Sequence, residues 1–511
     1  MKPLDFGFDS ARFPSFRPDQ LSTAQAIADD SSPTCILRAP PGRGKTLINL
    51  TVAQLMSART LYLTHTRQLQ TQLLSDFADA GMVDVRGADN YLCCVGNNET
   101  CATGRDQCDA EQCPYLDAIR HAKSSSLVVT NYAFHLYRSL NDTAHLGKFD
   151  LIICDEAHLA LDWLTDVVSF DLTRSTMRRL IGLDLPDLYD IASLRGWATG
   201  ARLMLLDAHK EAVRQSDSKL SRVIVKLGQS LRRFLDPSVD WTIEHKNLMH
   251  KDCSLRLRPV WPAAFSHLLF GNAAKAILCS ATISDADPGR LGRKHFSTFA
   301  LSSTFPVDRR PVLYVDKEPH IRVDRRTTDA EMQILCDRIG AFAESTQTKG
   351  IIQSPSYALT DKIRSSMRDA TRARLLVADR RNKQLEKFTT DGPWILVSPS
   401  LKEGIDFPYD ACRWVIFPKV PFPYFGDALL RARCDSDSGY STELTTRSFV
   451  QMALRASRAA DDYCMIVILD AHYAWWKHKA NFEPWFLDAC ENVSQVPTIP
   501  QGVFTDGISH T

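Results

Sequence analysis

Residues 34–46 read T-C-I-L-R-A-P-P-G-R-G-K-T, an apolar run that opens into a Gly-rich turn. No other stretch limits the possible folds as much. A turn of this composition lets a polyphosphate approach the backbone. Gly42 and Gly44 remove side-chain bulk, Lys45 supplies a point charge for the outer phosphates, and the Thr46 hydroxyl can ligate magnesium. Helix formers follow at 47–56, so the positive end of a helix would point at the phosphates. Ala39 stands where the strict pattern has Gly, a small exchange between compact residues.

A second signal lies about 110 residues further on, where 149–158 read F-D-L-I-I-C-D-E-A-H. A buried strand ending in two carboxylates suits nucleotide hydrolysis: Asp155 is placed to hold magnesium through water, and Glu156 to orient or deprotonate an attacking water. Between the two signals, a strand at 60–63 leads into T-H-T-R-Q-L-Q. Thr64, Thr66 and Arg67 there are candidates for a phosphate backbone, with a helix N-cap the alternative role of Thr66. Upstream, the Gln20 amide can pair with both edges of adenine.

At 511 residues the chain exceeds one hydrophobic core, and about 150 residues per domain suggests three or four units. Apolar content of 44% and charged content of 24% are those of a globular protein, and the net charge of +1 confines any nucleic-acid binding to local clusters. No stretch reaches the apolar length of a membrane span and the N-terminus lacks a signal-peptide core, so a cytosolic or nuclear protein with no membrane partner is expected.

Five of the 14 cysteines fall within 21 residues: Cys93, Cys94, Cys101, Cys108 and Cys113. In a reducing compartment such clustering favours a metal or cluster site over disulfides. The segment 87–115 is too polar to bury much core and needs an inorganic staple, either zinc or an iron-sulfur cluster. The spacings lack paired C-x-x-C knuckles, which tilts the choice toward iron-sulfur, with zinc the alternative.

From 161 to 258 the pattern becomes helical, with Leu220, Val223, Ile224, Leu227, Leu231 and Phe234 predicted to share one buried face. Lys219, Arg222, Lys226, Arg232 and Arg233 lie between them, as a solvated face or a nucleic-acid-facing groove. A strand at 276–282 ends in S-A-T. Beyond residue 311, apolar runs at 351–352, 375–377, 394–397, 414–417 and 465–469 alternate with helical patterns and predict a second parallel sheet, an α/β architecture. Pro355-Ser356-Tyr357 follows its first strand, and L-K-E-G-I-D-F at 401–407 follows its third. Q-M-A-L-R-A-S-R at 451–458 sets Arg455 and Arg458 three residues apart, which on one helix face would let them reach a γ-phosphate as arginine fingers do.

The order G-R-G-K-T, cysteine insert, D-E-A-H, helical insert, S-A-T, E-G-I-D-F and Q-x-x-x-R-x-x-R resembles the XPD/DinG-like iron-sulfur helicases of superfamily 2 over nearly the whole chain. The resemblance implies two RecA-like domains, the first interrupted by an iron-sulfur insert and a helical arch. The boundaries expected are 1–86, 127–160 and 259–308 for the first RecA-like domain, 87–126 for the iron-sulfur domain, 161–258 for the arch and 309–511 for the second RecA-like domain. It implies ATP and Mg2+ as cofactors, with Gln20 reading adenine, Lys45 and Thr46 binding phosphate and magnesium, and Asp155 and Glu156 hydrolysing. Gly404, Asp406 and Gln451 would serve the nucleotide from the second domain, and Arg455 and Arg458 would sense the γ-phosphate. Cys93, Cys101, Cys108 and Cys113 would ligate a [4Fe-4S] cluster, Cys94 competing with Cys93 as first ligand. Thr64, Thr66, Arg67, Ser356 and Tyr357 would touch nucleic acid. The implied activity is 5′-to-3′ unwinding of DNA by a monomer moving on single-stranded and forked DNA. A translocase that unwinds nothing by itself is the competing reading. The family usually has Gly where this chain has Leu454.

Overall fold

The computed structural model describes all residues except 95–98, 104–112, 143–144, 187–189, 247–252, 378–382, 398–406 and 500–511. Packing divides the chain into two compact units. The first is Met1–Arg38, Lys45–Ala300 and Tyr424–Ser438; the second is Ala39–Gly44, Leu301–Pro423 and Gly439–Thr511.

The first unit carries the strands β1 (Thr34–Arg38), β2 (Thr60–Thr64), β3 (Val83–Asp84), β4 (Leu127–Asn131), β5 (Leu151–Asp155), β6 (Phe170–Thr173), β7 (Trp241–Lys246), β8 (Ser254–Pro259), β9 (Lys275–Ser280) and β10 (Ser297–Ala300). Seven of them form a parallel sheet in the order β10-β1-β9-β5-β2-β4-β3. Side chains of β2, β4 and β9 are buried along their whole length, the continuous apolar pattern of a sheet covered on both faces. β1, β9 and β5 are neighbours, with Arg38 opposite Ser280 and Asp155 opposite Cys279. The ends of the three motif-bearing strands therefore share one edge, where open α/β sheets bind ligands.

The cysteine segment leaves this sheet between β3 and β4 and closes with the helix Pro114–Ser124, whose Tyr115, Ile119 and Ala122 are buried. The second insert is not wholly helical, as its periodicity had suggested. The helices Ile191–Arg214 and Ser218–Phe234 pack together, but β6, β8 and β7 form an antiparallel sheet beside them. The signal was present in S-L-R-L-R-P, which alternates between half-buried and buried along β8. The helical face also differs from expectation: Ile224, Leu231 and Phe234 are buried, whereas Val223 is 44% exposed.

In the second unit β11 (Val312–Val315), β12 (Gly350–Ile352), β13 (Leu375–Val377), β14 (Ile395–Val397), β15 (Trp414–Phe417), β16 (Met465–Ile468) and β17 (Cys490–Val493) form a seven-stranded sheet, order β13-β14-β12-β15-β16-β11-β17. All its pairings are parallel. Apolar clusters cover both faces. Gly350 is required here because the Trp414 ring lies across it; a Cβ would fall 1.9 Å from the indole.

One segment departs from the linear division drawn from sequence. Tyr424–Ser438 follows β15 in the chain yet packs in the first unit. Asp427 accepts hydrogen bonds from both Arg258 Nη atoms at 3.1 and 2.7 Å. Arg433 donates to Asp162, Thr165 and the Val260 carbonyl, and Arg290 meets Asp437 at 2.5 Å.

Candidate nucleotide and metal sites

β1 gives way to a turn in which Gly42 and Gly44 have φ of +77° and +67°, a left-handed conformation that side chains disfavour. The turn releases the chain into the helix Lys45–Leu55. Ala39 is buried and has no positive φ, so the position expected to need Gly accepts Ala without strain. Within the second unit, Phe305 packs on the turn: a Cβ at Gly42 would lie 2.1 Å from its ring. Phe305 was not singled out from sequence, because nothing in S-S-T-F-P marks a distant contact.

At the end of β5, Glu156 takes a left-handed φ of +46° and its N–H bonds the Asp155 carboxylate at 3.0 Å. That kink turns the Glu156 side chain to within 3.6 Å of Lys45 Nζ. Burial raises the Asp155 carboxyl to about 6, and the neighbouring Glu156 charge adds to the shift. The adjacent Asp155 and Glu156 carboxylates, with the Thr46 hydroxyl in the first turn of the helix, are oxygen donors of the kind that suits a hard divalent cation.

His158, part of D-E-A-H but given no role from sequence, joins the next strand to this site. Its Nδ1 shares a 2.8 Å hydrogen bond with Ser280 Oγ and lies 3.4 Å from Glu156 Oε2. Ser280 Oγ also accepts from the Thr282 N–H at 3.2 Å. Gln20 is buried at the start of the helix Gln20–Asp29, its Oε1 accepting from the Arg17 N–H at 2.8 Å.

Among the residues assigned to nucleic acid, Thr66 caps the helix Arg67–Asp76 by accepting from Leu69 N–H. Thr64 is fully buried and donates to the Thr66 carbonyl at 3.1 Å. Arg67 is exposed and bonds Asn90. Ser356 caps the helix Tyr357–Ser366, and Tyr357 is 50% exposed.

In the second unit, Arg455 and Arg458 do not share a helix face. The α-helix stops at Ala453, Leu454–Ala456 is a 3-10 turn, and Ser457 is extended. The Arg455 carbonyl accepts the Phe407 N–H, and the buried Asp462 carboxylate accepts the N–H groups of Arg458, Tyr409 and Tyr463. These competing partners draw the chain out of the helix. Gln451 is half-buried in the last turn of Tyr440–Ala453. Gly404 and Asp406 lie outside the described residues.

In the cysteine segment an isolated antiparallel bridge between Leu92 and Thr100 pairs the stretches that carry Cys93 and Cys101. Cys101 Sγ lies 3.8 Å from Cys113 Sγ, and both are buried. Burial pushes the Cys101 thiol up, helped by Cys113. Burial also opposes ionisation of Cys113, but the Leu116 and Tyr115 amides at the helix start hold it below the usual thiol range. Two converging buried thiols, one poised toward thiolate, fit a soft metal group. Their spacing matches the edge of about 3.8 Å for thiolates 2.3 Å from one tetrahedral ion, and a cluster with each cysteine on its own iron would hold them wider apart. Among the described residues no group of three or more potential ligands closes around a metal position, and Cys108 lies outside them.

A family model described as Helicase C-terminal domain matches residues 339–489, and one described as Type III restriction enzyme, res subunit matches residues 14–169. "Probable ATP-dependent helicase MJ0942" of Methanocaldococcus jannaschii is 24% identical over 264 residues, 46% of this chain; the chain spans 40% of that relative's length. The solved structure of S. tokodaii Xpd4 aligns over 93% of this chain and 100% of its own at 15% identity, with a TM-score of 0.58, a likeness of fold. Two parallel-sheet units, the Lys45–Glu156 pair and the match to a helicase carboxyl-terminal domain make the chain similar to ATP-dependent helicases, with a fold like that of Xpd4.

Proposed function

We propose that this chain is an ATP-driven DNA helicase that moves 5′ to 3′ on single-stranded DNA and opens forked duplex. The observation that carries the reading is the line Lys45–Glu156–His158–Ser280 across the ends of β1, β5 and β9. Lys45 would leave Glu156 for the outer phosphates of ATP, and the freed Glu156 carboxylate would orient the attacking water and take its proton. Thr46 and Asp155 would hold Mg2+, which when bound neutralises charge on the phosphates. Gln20 would read adenine. Arg455 and Arg458, with Gln451, Gly404 and Asp406, would serve the nucleotide from the second unit, and Arg67, Ser356 and Tyr357 would face the strand.

Cys93, Cys101, Cys108 and Cys113 would hold the [4Fe-4S] group, with zinc the alternative that the 3.8 Å thiol spacing resembles. The helicase matches support the nucleic-acid partner; direction, DNA over RNA and cluster type belong to this proposal. The test is unwinding of forked DNA with opposite single-stranded tails, beside a matching RNA duplex. ATP-dependent opening from the 5′-tailed strand is expected. ATP hydrolysis without opening of any fork would replace unwinding by translocation alone.

A further inference from the structure

A cavity of about 860 Å³ lies within the first unit. One wall is the helix Ser218–Phe234, which presents Arg222, Lys226, Gln229 and Arg233 to it. Those positions are spaced by four, three and four residues, a single stripe on one helix face. The opposite wall includes Tyr137, 55% exposed, and the half-buried Phe170. The volume falls in the range of about 300–1,000 Å³ usual for ligand sites.

Arg233 decides the chemistry. Its Nη2 donates to Ser230 Oγ at 3.0 Å, its Nε has no hydrogen-bond partner, and no carboxylate faces it among the described residues. Burial alone lowers its proton affinity. A half-buried guanidinium without a counter-charge is costly unless an anion arrives. Asp166 and Asp171 also line the cavity, but Asp166 already faces Arg256 at 3.8 Å.

We infer that this cavity is a seat for the phosphodiester backbone of a single strand, with Arg222, Lys226 and Arg233 on the phosphates and Tyr137 and Phe170 against bases. Cation stripe and aromatic wall together are the pairing that single-strand sites use. The identity of the strand rests on the helicase reading; the anion seat does not.

The experiment measures binding of fluorescein-labelled oligo(dT) by anisotropy across a salt series, on the full chain without nucleotide. Lys226→Gln/Arg233→Gln should weaken binding about tenfold or more and flatten the salt dependence by about 1.4, or about 0.7 per lost single-strand phosphate contact. Lys219→Gln/Arg232→Gln removes equal charge from the same helix at positions that do not line the cavity. It should leave the slope near wild type, and an equal loss would reduce the seat to a general field effect. Arg233→Lys should restore part of the affinity, whereas a structural role for the guanidinium would show as loss of the folded signal in both Arg233 variants. Inorganic tripolyphosphate should compete weakly; competition as strong as that of unlabelled oligo(dT) would assign the seat to a free phosphate compound instead. If wild type binds no oligonucleotide, the strand is overturned together with the nucleic-acid reading, while tripolyphosphate binding that the Lys226/Arg233 variant loses would preserve the anion seat.

Discussion

His158 and Ser280, 122 residues apart in the chain, share a 2.8 Å hydrogen bond that ties the end of β5 to the end of β9. Because His158 also approaches Glu156, the bond fixes the imidazole beside the Glu156 carboxylate. Ser280→Ala and His158→Ala should each lower ATP turnover by about tenfold. The double variant should be hardly worse than either single one, since groups acting as one unit are not additive. Fully additive losses in a steady-state ATPase assay would show that the two residues act separately.

Lys45→Ala and Glu156→Gln should each reduce hydrolysis about a hundredfold or more, the first by removing phosphate stabilisation and the second by removing water activation. Both side chains are partly exposed, so thermal unfolding should stay close to wild type. Near-normal turnover in Glu156→Gln would remove this residue from the chemistry.

Arg458→Ala should leave nucleotide binding measurable by fluorescent-analogue titration while hydrolysis falls steeply. Asp462 takes the Arg458 N–H and is itself wholly buried. Asp462→Asn, which keeps the size but weakens the acceptor, should therefore shift the same ratio in the same direction, less strongly. Equal loss of binding and turnover in both variants would make this a folding contact.

Cys108→Ser, and separately Cys101→Ser, should strip the metal group proposed for the cysteine segment. Iron, sulfide and zinc analysis of the wild-type protein identifies that group first. Unwinding should be lost in both variants while much of the DNA-stimulated hydrolysis remains, because the segment holds none of the nucleotide residues. Loss of hydrolysis in a folded Cys108→Ser protein would make the segment part of the motor.

His135 and His145 give the first unit a pH-sensitive core. Burial lowers His135 to about 4 and His145 to about 3. Each uses one ring nitrogen, toward the Leu269 and Asp142 carbonyls, and the other has no partner among the described residues. Both folded values lie below the unfolded value of about 6.5, so the unfolded chain takes up protons first and stability falls as pH drops from about 6.5 toward 4. His135 alone accounts for roughly 3 kcal/mol at pH 4. In denaturant melts, His135→Gln should be less stable at pH 8 but lose less on acidification; an unchanged slope would exclude the pair as the cause.

The two sheets were readable because their strands are short, wholly apolar runs ending in polar motifs, and β2, β4, β5, β9, β12, β13, β14, β15 and β16 lie within two residues of where periodicity places them. The helix start at Lys45, the strand end before Glu156 and the Thr66 cap were legible in local pattern for the same reason. What escaped depends on contacts distant in sequence. Phe305 gains meaning from Gly42, and the end of the Arg455 helix from Asp462 and Phe407. The sheet β6-β8-β7 was hidden by helices whose 3.6-residue period dominates its surroundings.

The placement of Tyr424–Ser438 in the first unit sets an order on folding during synthesis. Arg258, Arg290 and Asp162 are made early, yet Asp427, Asp437 and Arg433, which meet them, emerge only after most of the second sheet has been translated. Chains that fold amino-terminal part first normally finish one domain before starting the next. Here the earlier unit must wait, its cations half-matched, until residue 438 has cleared the ribosome, and a message truncated anywhere before that point yields a first unit that is never finished.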